Sequence, residues 1–370
     1  MIYGFMDLNG KIAALLRDFA AIQSSKQKMW GYKRAASAML ALEEPIESLL
    51  QPDGTLRKIP NIGPASTRII LEVLNTGTSP TIEAAIGGSG QKADIERRGG
   101  LRGNFLSRAQ VLAALRNQKL HGLTREQYRG DLQMHSTYSD GSQTLRDIIE
   151  TGIALGYQYN AVTDHSYGLP IARGVSMERL ATQHQEIDRL NNEFRDRFCL
   201  LKGIEANIRA DGSLDMTPDE LAQIEIVVAS PHSQLRTKED QTARMVRAVT
   251  TPGVHILGHP RGRMYGSRPG VTAKWRKVFE AAAASGVAIE IDGDPARQDI
   301  DCDLAKTAIE SGCLFAVDSD AHSTRELKAY TDIAIAHARL AGVPPERIIN
   351  CWPLQKLLKW ARGRSTGSAR

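Results

Sequence analysis

Six short stretches gather most of the side chains in this sequence that could hold a metal ion. They are DLQMHSTYSDG (131–141), VTDHS (162–166), GIEAN (203–207), ASPHS (229–233), LGHP (257–260) and DSDAH (318–322). Between them they supply His135, Asp140, His165, Glu205, His232, His259, Asp320 and His322. A single histidine after a strand is usually structural. Five of the nine histidines at such places, interleaved with three carboxylates, form a metal-site pattern. A mixed nitrogen and oxygen donor set without cysteine suits zinc, manganese or iron. Eight donors exceed what one tetrahedral ion needs, so two or three divalent ions sharing a bridging carboxylate are expected. Such a cluster generates hydroxide at neutral pH and stabilises the entering and leaving oxygens of a displacement at phosphorus. The chemistry expected is therefore phosphoester hydrolysis. No P-loop, dinucleotide fingerprint, Ser-His-Asp or Cys-His constellation competes with it. One position is irregular: Gln133 stands where a His-x-His pair would place its first imidazole.

These residues need elements to bring them together. From Arg129 onward, short β-rich runs alternate with helical stretches. RGDLQM, YNAVTD, CLLKGIEA, IEIVVAS, HILGH, VAIEID and LFAVDSD read as seven strands. TLRDIIETGIALG, MERLATQHQEIDRLNNEF, QTARMVRAV, KWRKVFEAAAASG and DLAKTAIESG read as the helices between them. Alternation of this kind predicts an α/β fold with a parallel sheet, open or closed into a barrel. All strand C-termini of such a sheet open onto one face, where the donors converge.

In that order the six motifs resemble those of the PHP (polymerase and histidinol phosphatase) phosphoesterases, over roughly residues 129–360. The nearest form is the C-terminal PHP domain of bacterial family X DNA polymerases, because IARGVSMERL and RIINCWPLQKLLKWA also match that branch. The resemblance implies a distorted (β/α)7 barrel with a trinuclear metal centre. Gln133, His135, Glu205 and Asp320 would surround one ion. Glu205 would bridge to a second, held with His232 and His259. Asp140, His165 and His322 would hold the third. Glu205, Asp320 and His322 would thereby serve catalysis. Arg173 in IARG is a phosphate-binding candidate or a surface arginine, and Arg297 is a weaker candidate. Asp164 is expected to orient an imidazole by accepting its N–H. His184, His255 and His337 read as structural or solvated. Glutamine at the position of Gln133 departs from most of the family, though some family X polymerases share it. An amide oxygen coordinates zinc more weakly than imidazole does.

Ahead of the barrel, LNGKIAALLRDFAAIQ and YKRAASAMLALEEPIESLL carry apolar residues at helical spacing. IPNIGPASTRII then resembles a helix-hairpin-helix, which offers backbone N–H groups at a helix N-terminus to a DNA phosphate. Asn61, Gly63, Ala65 and Ser66 are the DNA-contact candidates. In eukaryotic relatives of this domain a lyase lysine lies nine residues after the motif's proline. Here that position is Ile69, so Schiff-base chemistry is not expected. The fold class is thus a distorted α/β barrel preceded by a small all-α domain. The expected organisation is a helical DNA-binding domain over 1–80, a basic linker with one helix over 81–128, the phosphoesterase domain over 129–362, and a disordered tail over 363–370. The interval between the two domains holds no paired Asp-x-Asp to bind a nucleotide's metals, so polymerase activity is not expected.

The charge is unevenly placed. Residues 1–130 hold 18 Lys and Arg against 11 Asp and Glu, whereas the remainder is slightly acidic. That suits either a polyanionic partner or a solvated basic surface. No apolar run is long enough to span a membrane, no secretory pattern opens the sequence, and the four scattered cysteines lack CxxC spacing. A cytoplasmic location is therefore expected, with sequence-independent DNA as partner and neither a membrane nor a protein partner inferred. Three readings stay open: a metal-dependent phosphoesterase acting on DNA, a small-molecule phosphatase of the histidinol-phosphatase type, and a non-catalytic DNA-binding protein.

Overall fold

In the computed structural model, which describes residues 6–365, the chain divides into two units. The first comprises residues up to Arg116 together with Tyr265–Ser267, and the second comprises Asn117–Met264 and Arg268 onward.

The first unit is helical: α1 (Leu8–Ala21), α2 (Lys26–Ala41), α3 (Pro64–Thr76), α4 (Pro80–Gly88), α5 (Lys92–Gly100) and α6 (Arg108–Arg116). Side-chain oxygens of Asp7, Ser25 and Ser79 cap α1, α2 and α4 by accepting early backbone N–H groups. The core joins Ile12, Leu16 and Phe19 of α1 to Ala35, Ala36 and Met39 of α2 and to Ile69, Ile70 and Val73 of α3. Ile69, the position of a lyase lysine in related domains, is thus a core residue.

The expected linker over 81–128 is not one. It contributes α5 and α6 and most of α4, and it buries Ile82, Ile95, Phe105, Leu106 and Val111. Composition misled here because glycine and charge outnumber the few apolar residues. The helices depend instead on polar anchors. Glu72 accepts the Ser79 and Thr81 hydroxyls at 2.5 Å each, while Asp7 accepts the Ser107 hydroxyl at 2.6 Å.

The second unit is built on a six-stranded parallel sheet in sequential order: β1 (Tyr159–Val162), β2 (Cys199–Asn207), β3 (Ile226–Ser230), β4 (Ile256–Leu257), β5 (Ala288–Asp292) and β6 (Leu314–Asp318). Around it run α7 (Leu145–Ala154), α8 (Met177–Glu193), α9 (Pro218–Leu221), α10 (Thr242–Thr250), α11 (Trp275–Ser285), α12 (Cys302–Glu310), α13 (Thr324–Ala341) and α14 (Leu354–Ser365). The strands are buried on both faces, which explains their near-continuous apolar runs. Leu132, Ala161, Leu201, Val228 and Ile256 pack together with Ile349, Trp352, Leu357 and Ala361. Residues 363–365 continue α14, contrary to the expected tail; the rest of that tail lies outside the described residues.

The seventh expected strand, RGDLQM, is not a regular strand. It nevertheless lies between β1 and the end of β6. Ala161 and Thr163 donate to Asp131 and Met134 carbonyls at 2.8 Å each, and on the other side Met134 bridges Ala321. Side chains replace the rest of the ladder. The amides of Asp131, Leu132, Gln133 and Met134 donate to Asn160, Asp318, Asp131 and Thr163 side chains. Gly130 starts the segment because a Cβ there would lie 1.8 Å from the Tyr159 carbonyl oxygen. Gly141 ends the motif for a similar reason, with a Cβ meeting the His135 carbonyl at 2.4 Å.

His255 pins α14 to the sheet. Its Nδ1 accepts the Val227 N–H at 2.9 Å, so its Nε2 carries the proton and donates to the Ala361 carbonyl at 3.0 Å. Only the neutral ring can do both, and burial pushes its pKa from 6.5 down to about 4. Between those values the unfolded ring binds a proton that the folded ring refuses, so stability falls as pH falls through this window. The melting temperature should therefore decline from pH 6.5 to 4, and less steeply in His255→Gln, as followed by circular dichroism.

Candidate metal centre

Each donor sits at or just beyond the C-terminal end of a sheet segment. His135 follows the closing segment, His165 lies three residues past β1, and Glu205 lies near the end of β2. His232 and His259 come two residues after β3 and β4, and Asp320 and His322 follow β6. The parallel topology gathers them as expected.

Glu205 lies at the middle. Its Oε2 is 2.7 Å from His165 Nδ1 and 3.7 Å from His135 Nε2, while its Oε1 is 2.9 Å from His259 Nε2 and 3.5 Å from His232 Nε2. Asp140 Oδ1 faces His322 Nε2 at 3.4 Å, His165 Nε2 at 3.6 Å and His135 Nδ1 at 3.9 Å. His135 Nε2 also lies 3.0 Å from Asp320 Oδ1. The His135 ring stacks between those of His165 and His322, at centroid distances of 4.4 and 4.3 Å. Two donor sets are compact enough for an ion: His135, Asp140, His165 and His322, and separately His165, Glu205 and His232.

The donor chemistry fits divalent metal. Nδ1 of His135 and Nδ1 of His259 are enclosed without a hydrogen-bond partner. Leaving such atoms dry and unpaired is costly unless they ligate. Gln133 is fully buried, and neither its amide oxygen nor its amide nitrogen has a hydrogen-bond partner. His259 and Asp320 also carry positive backbone φ values, 21° and 53°, strain of the kind that collects at functional sites.

Electrostatics keep the carboxylates charged. Burial opposes ionisation of Glu205, but the His165 charge and hydrogen bonds from His165 and His232 hold it well below its usual range. Burial is likewise outweighed at Asp140, by hydrogen bonds from His165 and His322, and at Asp320, by Arg297 and His135. In return His165 and His322 are raised to about 10 and about 9 despite their burial. His232, where burial dominates, is lowered to about 4.

One expectation is revised, and two arginine candidates take their places. Asp164 orients no imidazole: it accepts from the Ser136 and Ser139 amides at 2.8 and 3.2 Å, from their hydroxyls, and from Gln183 Nε2 at 2.5 Å. Its five bonds shape the turn that carries His135 and Asp140. Arg173 lies exposed after β1 in a left-handed conformation (φ 55°), with no side-chain partner among the described contacts. Arg297 instead reaches the cluster, its Nη1 3.2 Å from Asp320 Oδ2 and its side chain only 18% exposed.

Sequence reading missed Glu290 and Asp292. Both are fully buried on β5, and Glu290 Oε2 accepts the His259 backbone N–H. Acids two apart in VAIEID share one face of a strand, and that spacing was the available signal. His255 and His337 are occupied structurally, the latter between Cys302 and Gln298.

In the helical unit, Asn61 adopts the left-handed conformation (φ 65°) and Gly63 precedes α3 with Pro64 at its first position. Asn61, Gly63 and Ala65 are exposed, while Ser66, in the first turn of α3, is buried.

Residues 7–79 match the helix-hairpin-helix domain family. Over 230 residues the chain is 42% identical to the DNA polymerase/3'-5' exonuclease PolX of Bacillus subtilis. That alignment spans 62% of this chain and 40% of the relative's length. It is 28% identical over 241 residues to a probable phosphatase of Enterobacter sp. (strain 638), covering 62% of this chain and 93% of that protein. Among solved structures, the histidinol phosphate phosphatase of Lactococcus lactis superposes with a TM-score of 0.44 at 18% identity, over 63% of this chain and 94% of that one.

Because Glu205 borders both sides of the cluster, Glu205→Gln should remove about one metal equivalent or more per chain. Elemental analysis of the purified protein measures this, with Arg173→Ala retaining the wild-type content.

Proposed function

We propose that this chain, which joins a helix-hairpin-helix domain to a PHP-type phosphoesterase barrel, hydrolyses phosphoester bonds in DNA. The observation that carries the reading is the gathering of His135, Asp140, His165, Glu205, His232, His259, Asp320 and His322 around charged carboxylates. Two or three divalent ions, manganese, zinc or iron, would be held by these residues with Gln133. When bound, they would supply hydroxide at neutral pH and offset charge on the phosphoryl oxygens.

The protein groups divide the remaining work. Glu205 and His135 are sealed within the barrel and position the other donors. Asp140 and His322, each 32% exposed, are at the open rim and meet the phosphoester first. Arg297 stands beside Asp320 with a fixed positive charge, placed to take a phosphoryl oxygen through two N–H groups. His322 donates from Nδ1 to the Asp320 carbonyl at 2.8 Å, which fixes its tautomer and turns Nε2 toward the rim.

DNA is favoured as substrate by the front domain. The hairpin at Asn61–Gly63 leads into the N-terminus of α3, whose free N–H groups suit a phosphate without reading sequence. The similar Bacillus protein is named a 3'-5' exonuclease, which supports end-directed hydrolysis; cleavage at abasic sites and 3'-end processing are the other forms. Four free cysteines are compatible with work in the cytoplasm. A second reading, a small-molecule phosphatase, draws on the probable phosphatases, which align along almost their whole length.

The deciding measurement is hydrolysis by the purified chain with added Mn²⁺. Single-stranded, abasic and 3'-phosphate DNA should be processed with higher kcat/KM than histidinol phosphate or free nucleotides. The opposite ranking sinks the DNA reading. Arg297→Ala should lower kcat/KM by roughly 100-fold, as expected for losing a charged donor at a phosphoryl group.

A further inference from the structure

One face of α2 is left unused by the core and by the hairpin. Lys26, Trp30, Lys33, Arg34 and Ser37 recur at the spacing of one helical side, opposite the buried Ala35, Ala36 and Met39. Trp30 is 54% exposed, and no other large exposed hydrophobic residue lies on α2. Lys33 Nζ sits 4.9 Å from the centre of its ring, and Arg17 reaches the far end of the face through Ser37 Oγ at 3.1 Å. From Gln23 to Leu42 the chain has no aspartate or glutamate. None of the described ion pairs engages Lys26, Lys33 or Arg34.

The two features together narrow the occupant. An isolated exposed aromatic ring needs no explanation, and a basic helix face can simply be solvated. An indole among cations that no described ion pair engages, on a helix without an acid, matches a polyanion that also offers flat π surfaces. Protein interfaces instead deplete lysine around their aromatic anchors and surround them with apolar neighbours. In duplex DNA the base faces are hidden, so only an unpaired base could use the ring.

We propose that Trp30 with Lys26, Lys33 and Arg34 forms a stacking site for an unpaired base of single-stranded DNA, on a different element from the hairpin. The site rests on the reading of this chain as a DNA enzyme and names the strand form that it takes. The indole stacks the base, while the ammonium and guanidinium groups hold the flanking phosphates.

The test uses the full chain and fluorescence anisotropy of a short labelled oligothymidylate, beside a blunt duplex. Trp30→Ala should raise the Kd for the single strand by roughly 5- to 100-fold, the range measured for losing one base–aromatic stack. Trp30→Phe should restore most of the affinity, and duplex affinity should change by less than about twofold. Replacing Lys26 and Arg34 by Gln should flatten the salt dependence by about 0.7 for each phosphate that the variant no longer neutralises. Equal single-strand affinity of Trp30→Ala and wild type overturns the stacking site alone. A parallel loss on both DNA forms also overturns it, in favour of general electrostatics. A concentration-dependent oligomer that Trp30→Ala dissolves, with DNA affinity unchanged, assigns the face to a second copy and overturns it too. If the wild type binds neither DNA, the DNA reading itself fails.

Discussion

The barrel is organised around one buried negative charge. Glu205 has almost no contact with solvent, yet imidazoles on three other strand ends lie within 3.5 Å of its two oxygens. An isolated carboxylate in that position would cost several kcal/mol or take up a proton. Its partners come from loops far apart in sequence, so the charge is tolerable only when β1 to β4 are in register. The site and the fold therefore depend on each other.

A second set of acids shows what happens without such partners. Glu290, Asp292, Asp131 and Asp318 are also buried in this unit, but they face other carboxylates more than cations. Burial and mutual repulsion push all four upward, Asp318 to about 7. Within the fold they serve as hydrogen-bond acceptors: Asp318 accepts from Leu132 and from Asn350, both at 2.8 Å. Glu290 accepts the His259 amide, and so helps keep that residue in its strained conformation. The same residue types are thus shifted in opposite directions according to what surrounds them. Arg297 belongs with the first set, sharing Asp320 and Asp294.

The helical unit is ordered by different means. Its core is made by three helices whose apolar spacing is plain, and its later helices are tied on by caps and by two carboxylates, one buried and one half-buried. Asp18 is paired with Arg102, and Asp7 both caps α1 and accepts from Ser107. These polar ties let a glycine-rich, charged stretch fold without a large apolar stripe. They are also why composition alone described that stretch as a linker.

The sequence by itself determined the donor set and its place at the strand ends, because a parallel α/β alternation sends every such loop to one face. It also determined the hairpin, since Asn61 and Gly63 meet local backbone requirements. Its limits were those of local pattern. The closing segment at 129–135 reads as a strand, but its amides are satisfied by Asn160, Thr163 and Asp318 side chains, which only the folded barrel brings near. Asp164 stands next to a histidine in sequence and yet bonds the serine turn. Arg173 lies in a suggestive motif and points to no donor, while Arg297, on a loop after β5, meets Asp320. Gln133 sits buried with an unsatisfied amide, a fact invisible in its one-letter neighbourhood. Pairings between residues more than 100 positions apart depend on register and burial, and these exist only once the sheet has closed.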